Sequence, residues 1–582
     1  MSTNISGEKR EALISKIFQI RSFIEQNGKD ENAARLISYL GDLFKEVNGK
    51  KYGLVFEEHR EKIDEILEQN APVFTEEKNL FIDGGGELNF LLEGDNLASL
   101  KLLEKTHRGK IDVIYIDPPY NTGNKDFIYD DSYIDEIDGF RHSKWLSFME
   151  KRLKIAHDLL NEKGVMFISI NNIEYAGLKL LLDNIFGVNN FVTTMIWKCR
   201  SSLYYTEPII SDIIEYILLY AKNKNSFSLK TFDKENIGDE KKLEGFFFNR
   251  IKKKYDGDNY SNPDNDPNGP FVTSGKVRND GRPSYTVISP TGVKHTQPWI
   301  YTPEVFEKLD KAGQIYWGVD GSAQPRKKSY LKDFIGNVSS NLLCDEFVRH
   351  EDTEGNVKKE KYFEVGTTES GTKELKDIIG ENDFPYPKPS SLIKYLCYLY
   401  PNNSATILDF FAGSGTTGQA ILKLNTEDDG HRNFILCTNN QNNICRDITY
   451  KRLKNIIKGT SNKEKKYSDG LPGSLKYFKT DFIPITEKMY YEYADELLLH
   501  VRELVELENA VNFDKDNSVA IVLDDDEMES FIDKVISTGS ISVRTLYMGH
   551  DVLLSSKQER ILKAHNIKVN VIPDYYYRDL AL

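Results

Sequence analysis

Six largely apolar residues, Ile111 to Ile116, run straight into Asp117-Pro118-Pro119-Tyr120. Such a run reads as a buried parallel strand, and two prolines end its hydrogen-bond ladder. At the strand tip the chain then offers a carboxylate, two stiff carbonyls and an aromatic ring. Those groups suit the holding of a planar, amino-bearing base while its exocyclic nitrogen attacks an electrophile. Asp117 accepts one hydrogen of the NH₂ group, the carbonyl of Pro118 accepts the other, and Tyr120 stacks on the ring. With both N–H bonds engaged, the nitrogen lone pair is drawn out of ring conjugation and becomes more nucleophilic. The bland alternative is a strand followed by an ordinary Pro-Pro turn.

A second constellation lies far along the chain. Residues 406 to 419 read TILDFFAGSGTTGQ. A strand from Thr406 to Phe410 leads into Phe411-Ala412-Gly413-Ser414-Gly415, and Thr416-Thr417-Gly418 opens a helix. Gly413 and Gly415 let backbone approach a ligand closely, and the free N–H groups at the helix start suit a carboxylate. Gly413, Gly415 and Gly418 also satisfy G-x-G-x-x-G. The acid that a dinucleotide fold needs at the end of the next strand is absent, because Asn433 to Cys437 is followed by Thr438-Asn439-Asn440.

DPPY joined to FxGxG resembles the amino-methyltransferases that act on DNA with S-adenosylmethionine, and the order, catalytic motif first and cofactor motif last, is similar to their beta group. Longer stretches resemble the modification subunit of type III restriction-modification systems. They are Leu91 to Leu103, Asp117 to Asp131, Gly139 to Ala156, Gly164 to Asn172, Glu215 to Lys224, Phe384 to Leu396 and Phe434 to Leu453. The resemblance implies a DNA adenine-N6 methyltransferase. It implies an α/β fold with a permuted, Rossmann-like S-adenosylmethionine-dependent core. It places Asp409, Phe411, Ala412, Gly413, Gly415, Thr416 and Thr417 around the cofactor. Lys388 becomes a candidate for the cofactor's methionine carboxylate, or is simply a solvated lysine. Asp95 matches another cofactor-pocket position, or caps the helix that begins near Leu97. Asn439 stands where relatives carry an acid for ribose hydroxyls, and Asn171-Asn172 stand where acids are expected. The implied partners are double-stranded DNA, a second copy of the chain and a separate helicase-nuclease restriction subunit. No G-x-x-x-x-G-K-[ST] loop is present here to drive cleavage. Three other readings stay open: cytosine-N4 methylation, a recognition scaffold with an unused site, and an enzyme acting on RNA or protein.

These motifs need elements to carry them. Residues 1–80 read as helices, from apolar spacing in Leu13 to Ile24, Leu36 to Phe44 and Ile63 to Asn70. Residues 81–225 hold the catalytic half, with an amphipathic helix from Trp145 to Leu160 and strands at Gly164 to Ile170 and Glu215 to Tyr220. Residues 226–380 are rich in Gly, Pro, Asn and Asp and fit an inserted target-recognition domain. Its aromatics, Tyr285, Trp299, Tyr301, Tyr316 and Trp317, suit a β-domain core at least as well as base contact. Residues 381–460 carry the cofactor half. Residues 461–582 carry a helix, Tyr490 to Leu507, and a small strand-helix alternation from Val519 to Ile572.

Composition sets the boundaries. The chain has 582 residues, enough for several domains, and a net charge of -14. That charge argues mildly against nucleic acid, but its distribution matters more. Basic residues gather in the insert at Lys252, Lys253 and Lys254, at Arg278 and Arg282, and at Arg326, Lys327 and Lys328. Each cluster is a candidate DNA contact or a solvated face. The five cysteines lack C-x-x-C spacing and the ten histidines lack ligand spacing, so no metal is expected. No membrane span or signal peptide is expected, and the scattered cysteines read as reduced core residues of a cytoplasmic protein.

Overall fold

The computed structural model describes residues 5–27, 31–48, 56–123, 128–129, 132–133, 138–202, 210–229, 261–275, 277, 283–330, 340–351, 357–460, 469–485, 500–538, 542–549 and 551–572. Its centre is a ten-stranded sheet. In chain order the strands are β1 (Asn70–Glu76), β2 (Leu88–Glu93), β3 (Ile111–Ile116), β4 (Leu160–Ile170), β5 (Phe191–Lys198), β6 (Ile214–Ala221), β7 (Leu342–Leu343), β8 (Thr406–Asp409), β9 (Asn433–Thr438) and β10 (Ser474–Pro484). Across the sheet they run β1-β10-β2-β9-β8-β3-β4-β6-β5-β7. The six strands from β10 to β4 are parallel, while β1 and β6 are antiparallel to their neighbours.

Both faces of this sheet are covered, which explains its unbroken apolar strands. Val113 and Tyr115 of β3 join one buried cluster, with side chains from helices 368–379, 390–398, 416–428 and 451–458. Ile114 and Ile116 join the other, against helices 96–107, 141–159, 175–186 and 501–509. A strand with period-2 alternation and no polar face has no other stable position.

From β8 the chain winds toward β9, and from β3 it winds the other way toward β4. The topological switch point therefore lies between β8 and β3, where ligands of open α/β sheets bind beyond the strand tips. The two strands are directly paired, Ile407 with Val113 and Leu408 with Ile114. The strands that lead into Asp117 and into the glycine turn are thus neighbours.

Two strands depart from the sequence reading. Residues 1–80 were expected to be helical, yet Asn70–Glu76 is β1, paired with β10 in antiparallel register from Asn70 with Pro484 to Glu76 with Phe478. The block after 461 was expected to lie outside the core, yet β10 is wedged between β1 and β2. The two strands find each other across roughly 400 residues of sequence, a pairing that local periodicity cannot reveal. Of the expected helix Tyr490 to Leu507, residues 490–499 lie outside the described residues, and Val501–Asn509 is helical.

The insert forms its own small β structure. Phe271–Gly275, Arg326–Tyr330 and Ile315–Tyr316 make an antiparallel sheet, and Tyr285–Ile288 pairs with Lys294–Gln297. Val287, Trp299, Phe306, Ile315 and Trp317 pack as its core. The Trp299 indole donates to the Tyr285 carbonyl at 3.0 Å and the Trp317 indole to Asp310 at 2.8 Å. Those two aromatics are therefore structural. Near the C-terminal end, strands Val519–Val522, Thr545–Met548 and Lys568–Val571 form a parallel sheet with helices 525–538 and 556–564, matching the alternation read from the sequence. Among the described residues no helix is long and apolar enough to cross a membrane.

Candidate active site

The tip of β3 is built to hold Asp117 in place. Trp145, fully buried on helix 141–159, donates its indole N–H to the carbonyl of Pro119 at 2.7 Å. Asn121 turns the chain with a left-handed φ of 56° and is itself buried. Its amide donates to Glu174 at 2.5 Å and to the Arg141 carbonyl at 3.3 Å. Asn tolerates that conformation better than most residues.

Around Asp117 three polar side chains converge. The Lys388 ammonium lies 2.8 Å from both carboxylate oxygens of Asp117 and 2.9 Å from the Tyr120 hydroxyl. It is also 3.3 Å from Glu215. The Tyr120 hydroxyl has one proton and two carboxylate acceptors, Asp117 at 2.9 Å and Glu215 at 2.8 Å. Burial works against the Lys388 charge, but Asp117 and Glu215 outweigh it and hold its pKa above the ordinary lysine value. Burial, then the charges of Asp117 and Glu215, push the Tyr120 phenol well above its usual value, so it stays a neutral donor. The Lys388 ammonium also sits 4.9 Å from the Tyr120 ring centroid and 5.9 Å from that of Trp197.

The glycine turn after β8 lies beside this cluster. Gly413 and Gly415 have φ of 48° and 76°. A Cβ at Gly413 would come within 3.0 Å of the Phe384 ring, and one at Gly415 within 3.0 Å of the Thr449 methyl. Only glycine fits this close-packed bend. The Ala412 N–H donates to the Cys437 carbonyl of β9 at 3.1 Å, which joins the two strand ends. Asp409 is buried and accepts from Thr417 and from the Phe411 N–H. Burial raises its carboxyl to about 7, although both hydrogen bonds pull the other way, and the charge of Asp117 adds to the rise. The Thr416 hydroxyl is held by the fully buried Arg452 at 2.8 Å. The Phe411 ring lies tilted 5.9 Å from that of Phe148, over which the Arg152 guanidinium sits at 3.6 Å.

One short segment spans both halves. Phe384 packs on Gly413, the Lys388 carbonyl accepts from Thr416 at 3.3 Å, and the Lys388 ammonium reaches Asp117. Between them Tyr386 is exposed with a φ of 48°, an uncommon conformation for a bulky residue.

The remaining expected residues fall as follows. Asp95 caps helix 96–107, accepting from the N–H groups of Leu97 at 2.8 Å and Ala98 at 3.2 Å, which is one of the two roles weighed for it. Asn439 is exposed and accepts from the Gln441 N–H. Asn171 caps a local turn at Ile173, and Asn172 donates to Asp212. Lys252, Lys253, Lys254, Arg278 and Arg282 lie outside the described residues. Arg326 is exposed and Lys327 half-buried. Lys328 does not offer its charge to DNA. Its ammonium is buried between Asp264 at 2.6 Å and Asp266 at 2.5 Å, because alternate residues of that strand face the insert's interior.

Sequence reasoning missed Glu215, Arg152 and Arg452. Glu215 stands near the start of β6, opposite Trp197 of β5. Because β6 is antiparallel to β4, its beginning arrives at the same end of the sheet as the tips of β3 and β8. A lone acid opening an apolar strand was the available signal. Arg152 is fully buried, forks onto Glu61 at 2.9 and 3.0 Å and donates to Asn96 at 2.6 Å. Asn96 in turn donates to the Phe410 carbonyl at 3.0 Å, so this network braces the glycine turn after β8.

With this geometry in place, comparison with known proteins gives the family. A DNA methylase family model matches residues 111–450. The chain belongs to that family. The StyLTI modification subunit, a type III restriction-modification enzyme of Salmonella typhimurium, is 32% identical over 406 residues, covering 65% of this chain and 57% of that protein. The EcoPI modification subunit of Escherichia phage P1 is 31% identical over 386 residues, 60% of this chain and 57% of its own length. The type II methyltransferase M.KpnI of Klebsiella pneumoniae is 31% identical over 408 residues, 67% of this chain and 90% of its own length. This DNA methylase thus spans little more than half the length of those type III subunits. The resemblance to them read from the motifs holds across the central region.

Proposed function

We propose that this DNA methylase transfers a methyl group from S-adenosylmethionine to N6 of an adenine extruded from duplex DNA, as the modification and recognition subunit of a type III system. One observation carries the reading: Asp117 and the Gly413–Gly415 bend sit on paired strands at the sheet's switch point. The residues present suit the cofactor, since the left-handed glycines bend the chain tightly into the start of helix 416–428, whose first N–H groups suit a carboxylate. S-adenosylmethionine supplies a methyl group on a positively charged sulfur.

The chain's own residues supply the rest. Extruding the base costs about a few kcal/mol of stacking. Asp117 accepts one N6 hydrogen, the Pro118 carbonyl accepts the other, and Pro119 and Tyr120 shape the wall beside the ring. With N6 held this way by Asp117 and Pro118, the bound donor would supply its methyl group to the nitrogen and its sulfur would keep the electron pair of the broken carbon–sulfur bond. The excess proton on N6 leaves to solvent. Positioning provides most of the acceleration. The broader partners, a second copy and a helicase-nuclease subunit, belong to this reading, as does a cytoplasmic setting. Arg326 and Lys327 are its described candidates for phosphate contact.

The test is direct. The purified chain is incubated with duplex DNA and labelled S-adenosylmethionine, and the DNA is digested to nucleosides. Label in N6-methyldeoxyadenosine supports the reading. Label in N4-methyldeoxycytidine redirects it to the cytosine reaction. No label, or label only on RNA or protein competitors, removes it.

A further inference from the structure

We infer that Glu215 is a positioning residue that takes over the Lys388 ammonium when the target base claims Asp117. This inference rests on the methyltransferase reading above. In the structure both Asp117 oxygens are occupied by one Lys388 ammonium at 2.8 Å. Those are the oxygens that an exocyclic amino group needs. The base and the ammonium cannot hold the same carboxylate edge, so Lys388 must release it when the base arrives.

The second seat is already in contact. Glu215 lies 3.3 Å from the ammonium, and its side chain is only 17% exposed, so water does not replace it there. The ammonium has three protons facing four acceptors: two oxygens of Asp117, the Tyr120 hydroxyl and Glu215. Losing Asp117 therefore leaves it with two partners rather than none. Tyr120 moves with it, because its single proton can pass from the Asp117 side to Glu215 at 2.8 Å.

Charge points the same way. N6 becomes positive as it takes the methyl group, and an ammonium on Asp117 opposes that development. Asp117, Glu215 and Lys388 together carry two negative charges and one positive. Seated on Glu215, Lys388 leaves the Asp117 charge for the reacting nitrogen. Without the Glu215 charge, the ammonium cancels Asp117 instead.

The experiment uses the full chain with Glu215→Gln, Glu215→Asp and Lys388→Met, each checked for a cooperative melt. Methyl transfer in a single turnover on duplex DNA should fall about tenfold or more in Glu215→Gln, with the affinities for S-adenosylmethionine and for DNA within about threefold of wild type. Glu215→Asp should recover at least about fivefold over Gln, because charge and not shape is at stake. Lys388→Met should bind S-adenosylmethionine within about threefold of wild type, and a loss above about tenfold would assign the lysine to the cofactor and overturn the proposal. If Lys388→Met does not fold, Glu215→Gln decides alone: transfer within about threefold of wild type overturns the proposal. Active wild type with an equally active Glu215→Gln defeats only this inference. A wild type that marks no DNA defeats the methyltransferase reading and this inference with it.

Discussion

Asp117 and Asp409 end adjacent parallel strands, and the molecule treats their charges in opposite ways. Asp117 is partly exposed and sits against the Lys388 ammonium, with Tyr120 as a further donor. Asp409 is buried, has two hydrogen-bond donors and no cation among them, and is pushed up to about 7. The first carboxylate lies beside a cation and within reach of solvent, the setting that the proposed grip on a base requires. The second is a fastener: it ties the start of the glycine bend to the first turn of the following helix. A motif of acids at strand tips therefore does not have one meaning. The cation beside the group and its access to solvent decide between gripping and bracing.

The contrast breaks hardest at Asp117. Asp117→Ala should lower kcat by about a thousandfold or more, while cofactor affinity stays within about threefold. Rapid-quench methyl transfer and calorimetric cofactor binding read the two effects. An equal loss in both would mean that Asp117 braces the fold as Asp409 does.

Asp409→Asn should act on stability and on its pH dependence. A carboxyl raised in the folded state stabilises the fold most below its unfolded value, near pH 4, and that contribution is lost as pH climbs through about 7. Asparagine keeps an acceptor and cannot ionise. The wild type should therefore lose on the order of a few kcal/mol relative to Asp409→Asn between pH 4 and pH 8. Parallel melts of the two proteins across that range check the sign, and a constant difference would remove the argument.

Gly415→Ala should cost about 1–2 kcal/mol, from a left-handed backbone and contact with Thr449. Denaturant titration measures it, and cofactor affinity should fall as well because the bend is displaced. The smallest effect belongs to the insert. Arg326→Gln with Lys327→Gln should weaken DNA binding several-fold and lower the salt slope by about 2, with kcat at saturating DNA unchanged. Lys328→Met offers the counterpoint: its buried pairing with Asp264 and Asp266 makes it a stability change, not a salt-slope change.

The comparison also shows where the sequence could be read. The β3 and β8 tips were legible because each packs an apolar strand and its chemistry into a few consecutive residues. Helices such as 141–159 and the late strand-helix alternation were legible from periodicity. Other parts depend on contacts that no window contains. β1 and β10 are set by pairing between distant segments. Glu215 matters only because β6 runs backwards against β4, and Arg152 only because Glu61 and Asn96 close around it. Lys388 was visible as a candidate, but the partner the structure gives it is Asp117, a choice made by the path of residues 384–390. Lys328 was misread because a run of three basic residues hides the alternation of a strand, in which one of them must face inward.

Single-molecule sequencing of DNA from cells carrying this gene, as wild type and as Asp117→Ala, tests the central claim most directly. The expected result is N6-methyladenine at one recurring sequence in the wild-type cells and unmodified adenine there in the variant. Equal modification in both, or none in either while the protein is folded and expressed, would contradict the assignment of Asp117 as the group that holds the base.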